Sequence, residues 1–149
     1  MKINEILKKC SINFKTENVK NFDVKGISFN SKEIKENFIF GAVIGSEDNG
    51  EKYLNDLKKL RHIGIIVRDN FKVKEEYNNF FIIKTKKVKE LTGEIASLIY
   101  PNSIKEKIAI TGTNGKTSIA HYIAEISSRQ KVANCTFGTL GIIFNNKQL

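Results

Sequence analysis

At 149 residues, with 40% hydrophobic and 28% charged residues, the chain can enclose one ordinary core or two small ones and is too apolar for a disordered tail. Its formal charge of +9 rests on 22 lysines and three arginines spread from Lys2 to Lys147. Basic residues interleaved with stacking aromatics are missing, so nucleic acid is not expected as partner, and an anionic small-molecule substrate would benefit equally from the charge.

In chain order, Ile3, Ile6 and Leu7 fall at i, i+3 and i+4, predicting a short amphipathic helix over residues 2–10 on a sheet edge. Val24 to Phe29 alternates as a strand does, and Phe38-Ile39-Phe40-Gly41-Ala42-Val43-Ile44 is the continuous apolar run of a strand buried on both faces. After a polar loop, Gly45 to Gly50, the residues Tyr53, Leu54, Leu57 and Leu60 share one face of a helix over 51–60, and Ile63 to Val67 follows as another buried strand. Phe80 to Ile83 reads as a further strand. Val88 to Tyr100 reads as a helix with Leu91, Ile95, Leu98 and Ile99 on one face. Pro101 stops it, because the residue before a proline avoids the helical region. The chain thereby divides into an expected N-terminal domain, 1–101, and a second piece, 102–149.

In the second piece Lys107 to Thr111 predicts a strand, Gly112 to Gly115 a tight loop, Lys116 to Arg129 a helix and Val132 to Phe137 a strand. Gly138-Thr139-Leu140-Gly141 then turns into Ile142-Ile143-Phe144, with Asn145-Asn146 as a turn. The fold class expected is α/β: a small N-terminal α/β domain followed by the opening strand-loop-helix-strand of a P-loop (Rossmann-like) ATPase domain. Residues 104–149 lie near the ~40-residue limit below which domains need outside help, so this piece should be marginal. No stretch approaches the ~18 apolar residues of a membrane span, and Met1 to Leu7 has no apolar signal core, so no membrane association and a cytoplasmic location are expected. Cys10 and Cys135 match no metal or redox spacing; His62 and His121 have no carboxylate or second histidine at metal spacing and read as structural.

The glycine loop carries the chemistry. Backbone N–H groups at a helix N-terminus converge on a phosphate and add the favourable end of the helix dipole, and glycines let the backbone wrap closely. Gly112, Thr113, Asn114, Gly115 and Ser118 would form the cradle, Lys116 would reach the β- and γ-phosphates of ATP, and the Thr117 hydroxyl would ligate Mg²⁺. The strict pattern G-x-x-x-x-G-K-[ST] fails, because Ile110 stands five before Gly115. The strand and the helix expected on either side supply the context that a bare Gly-Lys-Thr lacks.

Ile110-Thr111-Gly112-Thr113-Asn114-Gly115-Lys116-Thr117 resembles the ATP loop of the Mur ligases, which build the peptidoglycan precursor stem and whose loop begins with Thr-Gly. Ile27-Ser28-Phe29-Asn30-Ser31-Lys32 is similar to the family's Asp-Ser-Arg segment, with Asn30 in place of the Asp and Lys32 in place of the Arg. Asn37 to Gly45, followed by Asp48-Asn49-Gly50 and Tyr53, is similar to its Gly-Asp-Leu-Phe-Val-Ala … Gly … Asp-Gly … Tyr stretch. Thr113-Asn114 and the later Gly138-Thr139-Leu140-Gly141 favour the MurE type over the MurF type.

The resemblance implies an ATP-dependent ligase that adds the third amino acid, diaminopimelate as the commoner choice, to UDP-N-acetylmuramoyl-L-Ala-D-Glu, with ATP and Mg²⁺ as cofactors and a monomeric state. It implies that Phe29 and Ser31, with Ser46 and Asp48 nearby, contact the uridine diphosphate end, and that Lys116 serves catalysis. The chain would hold the first domain of such an enzyme and the start of the second, with the amino-acid site absent and no ligase turnover by residues 1–149 alone. A standalone module binding a nucleotide or UDP-sugar, or part of a MurF-type ligase, is the alternative.

Overall fold

The computed structural model describes residues 1–45, 49–101 and 104–149. The chain forms two compact units, Met1–Ser103 and Ile104–Leu149.

The first unit is built on a five-stranded sheet. Strands β2 (Gly26–Ser28), β3 (Phe38–Gly41), β4 (Gly64–Arg68) and β5 (Phe81–Thr85) run parallel, each beside the next, and β1 (Lys15–Glu17) pairs antiparallel outside β5. Parallel strands must be covered on both faces, and the apolar runs supply this by sending alternate residues to opposite sides. Ile39, Ile66, Phe81 and Ile83 join one core cluster, whereas Phe40, Ile65, Val67 and Ile82 join the other. The first cluster is closed by helices α1 (Ile3–Leu7) and α3 (Val88–Ile99), through Ile3, Ile6, Leu7, Val88, Leu91 and Ile95. The second is closed by the connections between strands: Ile34, Leu54 and Leu57 of helix α2 (Leu54–Leu57), and Tyr77.

Several elements differ from expectation, each for a local reason. Helix α1 does not lie on the sheet edge: Ile3 sits over Gly64 on the interior strand β4, where the missing side chain leaves room. The helix expected over 51–60 opens as a 3-10 turn, Gly50–Tyr53, because the Asn49 side chain accepts from the Glu51 amide at 2.9 Å, and only Leu54–Leu57 is α-helical. His62, at φ 55°, turns the chain left-handed before β4. Helix α3 ends at Ile99, and Tyr100 leaves helical geometry (φ −115°, ψ 71°) ahead of Pro101.

In the second unit, helix α4 spans Lys116–Arg129, and strands β6 (Cys135–Gly138), β7 (Gly141–Phe144) and β8 (Lys147–Gln148) form an antiparallel meander. Residues 107–111 are not a strand, contrary to expectation: none of the described strands pairs with them, and Ile108 is 65% exposed. An apolar run becomes a strand only where a neighbour accepts its hydrogen bonds. Ala124 is the only buried residue described in this unit, which therefore lacks a core of its own.

Candidate functional site

The phosphate-loop residues lie at the start of α4, and two glycines shape the turn. Gly112 (φ 147°) and Gly115 (φ 78°, ψ −7°) take backbone conformations that a side chain would resist. Gly115 is the N-cap and offers no side chain to the first-turn amides; open space surrounds the position its Cβ would take. The amides of Lys116, Thr117 and Ser118 precede the first helical bond, in which the Ile119 amide donates to the Gly115 carbonyl at 2.9 Å. They are left to an outside acceptor.

The Lys116 side chain folds back over the loop, and its ammonium donates to the carbonyls of Gly112 and Thr113. Its partners are neutral, so the full positive charge stays on the loop. Among the described residues no carboxylate neutralises it. Exposed amides and one uncompensated cation fit a polyphosphate. No group of three or more His, Cys, Asp or Glu residues able to hold a metal occurs among the described residues, and the Thr117 hydroxyl lies in the first turn of α4, next to Lys116.

In the first unit, Phe29 and Ser31 follow β2 directly. Because β2, β3 and β4 are parallel, the segments leaving them emerge at one edge, the C-terminal edge where open α/β sheets bind ligands. Phe29 is 49% exposed, with its ring edge against Gly41 and close to Thr92; a Cβ on Gly41 would collide with both. Ser31 opens a 3-10 turn, Ser31–Glu33, capped by the Asn30 side chain, which accepts from the Lys32 amide at 3.1 Å. Ser46 and Asp48 lie outside the described residues.

Two residues not singled out from the sequence hold this turn. The Glu33 carboxylate accepts from the Ser28 hydroxyl at 2.7 Å and from the Asn30 amide nitrogen at 3.1 Å, while the Asn30 backbone N–H donates to Ser28 Oγ at 3.0 Å. The signal was there in Asn30-x-x-Glu33, the spacing of a capping residue and its N3 acid. His62 and His121 form no metal cluster and contact Phe22 and Tyr122, at 6.4 Å between ring centroids in both pairs. No described helix is long and apolar enough to cross a membrane.

Residues 110–148, which include the loop and α4, match the Mur ligase middle domain. The chain is 28% identical over 131 residues to the UDP-N-acetylmuramoyl-L-alanyl-D-glutamate--2,6-diaminopimelate ligase 2 of Clostridium acetobutylicum, covering 87% of this chain and 27% of the relative. It is 34% identical over 120 residues to the corresponding ligase of Rickettsia felis, covering 80% of this chain and 22% of the relative, and 36% identical over 120 residues to that of Rickettsia bellii, covering 80% and 23%. The chain thus spans about a quarter of the length of these relatives. The loop, the middle-domain match and these relatives taken together make the chain similar to the Mur ligases, and among them to ligases of the MurE, diaminopimelate-adding type.

Proposed function

We propose that this chain supplies the nucleotide-sugar-binding unit and the ATP phosphate loop of a ligase that joins diaminopimelate to UDP-N-acetylmuramoyl-L-Ala-D-Glu in the cytoplasm. The observation that carries the reading is the Lys116 ammonium held on a glycine loop at a helix N-terminus, within the segment that matches the Mur ligase middle domain.

In that reaction a substrate carboxylate takes the γ-phosphoryl group of ATP, releasing ADP, and the amine of the incoming amino acid displaces phosphate from the acyl phosphate. Bound Mg²⁺ would supply charge neutralisation between the β- and γ-phosphates. The residues of this chain act by position and charge. The Lys116 ammonium exchanges the carbonyls of Gly112 and Thr113 for phosphate oxygens, and the amides of residues 116–118 donate to the same anion. The Thr117 hydroxyl would help to hold that metal. At the other unit, Phe29 offers an exposed ring and Ser31 a hydroxyl on a braced turn to the uridine diphosphate end, and Ser46 and Asp48, outside the described residues, serve the same ligand.

Calorimetric titration of the chain with Mg²⁺-ATP tests this. Saturable binding is expected, weakened at least about tenfold by Lys116→Ala, since hydrogen bonds to charged groups are worth ~1.5–3 kcal/mol. ATP binding indifferent to that substitution would overturn the assignment of the loop.

A further inference from the structure

The parallel strands have a second edge, opposite the one that carries Phe29 and Ser31. Three separate segments meet there: Lys20 beyond the end of antiparallel β1, the run Lys58-Lys59-Leu60-Arg61-His62 leading into β4, and Asn79 ahead of β5. They line an open depression of about 460 Å³, within the size range of small-molecule sites.

The charge in its wall is largely uncompensated. Lys20 donates to the carbonyls of Asn78 and Asn79, at 3.3 and 3.1 Å, which ties one wall together and leaves its charge in place. Lys58 pairs with Glu76 at 2.7 Å. Lys59 and Arg61 have no carboxylate partner among the described residues. His62 holds its left-handed backbone against the Phe22 ring, turning the chain sharply beside these cations. Strain of this kind persists only where the surroundings over-determine it, and it gathers at ligand sites.

We propose that this depression binds a small polyanion of the diphosphate class. Cations contributed by two separate segments, Lys20 and the run Lys58 to Arg61, match an anion with several separated negative oxygens better than a single carboxylate. No Phe, Tyr or Trp lines the wall to give a single-stranded nucleic acid a run of stacking rings, and it is one depression rather than a basic stripe. The site is independent of the phosphate loop, which lies in the other unit.

The test is a titration of the ¹⁵N-labelled Lys116→Ala chain, in which the loop is disabled, with inorganic pyrophosphate in one arm and ADP in the other. Saturable amide shifts at Lys20, Lys58 to His62 and Asn79 are expected. Equal affinities would mean that the diphosphate alone is read, and tighter ADP binding that an ester is preferred. Arg61→Ser and Lys59→Ser, both at exposed positions, should each weaken binding at least about tenfold with an otherwise unchanged spectrum. The proposal is overturned if the shifts are non-saturating and matched by sulfate at equal ionic strength, if they survive both substitutions, or if a single-stranded oligonucleotide binds at these residues more tightly than either diphosphate.

Discussion

Glu94 shows how much one half-buried residue's carboxylate can organise. It accepts from the Ser11 amide at 2.7 Å, the Ser11 hydroxyl at 2.8 Å and the Ile12 amide at 3.3 Å, fastening the segment after α1 to α3. These donors, Ser11 first, hold its pKa below the ordinary glutamate value. A carboxyl depressed in the folded state contributes stability above its unfolded pKa and loses it as pH falls through the folded one. Glu94→Ala should therefore destabilise the chain by about 1 kcal/mol at neutral pH, screening by solvent included, and the difference from wild type should shrink on acidification below the ordinary glutamate range, as urea titrations at several pH values would show. Nearby, burial and then the Glu94 charge push the Cys10 thiol up to about 11, whereas Cys135 is exposed. Iodoacetamide at pH 8 should modify Cys135 well before Cys10, and peptide mapping would reveal the order. The turn at Gly112 and Gly115 was legible from sequence because glycine is the residue that takes a positive φ without strain. Glu33 and Ser28 were not singled out, because their task is to brace a turn whose partners are set by folding.

Elements were legible in proportion to how far their own residues determine them. Strands β3, β4 and β5 stood out as apolar runs, since burial on both faces leaves no room for polar positions. Strand β1, Lys-Thr-Glu, did not: it lies at an edge, and what makes it a strand is the register Lys15 to Lys84 through Glu17 to Ile82. Residues 107–111 are the converse, an apolar run without a pairing partner. The Asn145-Asn146 turn is a two-residue loop between Phe144 and Lys147 with φ of 45° and 65°, the sign pattern of a type I′ hairpin turn. Asn145 also accepts from the Asn134 amide at 3.0 Å, so it is the position to leave alone. Asn146→Gly should stabilise the hairpin by a few tenths of a kcal/mol, roughly, seen as slower amide exchange in β7 and β8; unchanged or faster exchange would count against the turn type.

At the scale of the whole molecule the two units differ in what sustains them. The first has two core clusters; the second has one buried residue and large apolar side chains in the open, with Phe137 72% and Tyr122 65% exposed. Trypsin should therefore cut within 104–149, at exposed sites such as Lys105, Lys107 and Lys131, while a fragment close to residues 1–101 persists. Equal survival of both units in a time course would contradict this. The sheet of the first unit also has a history written into its order. From β2 to β5 every strand is laid beside the one made just before it, yet β1, made first, pairs with the last. As the chain leaves the ribosome, Lys15 to Glu17 must wait for nearly the entire unit to be synthesised, and until then its backbone stays open to any other strand it meets.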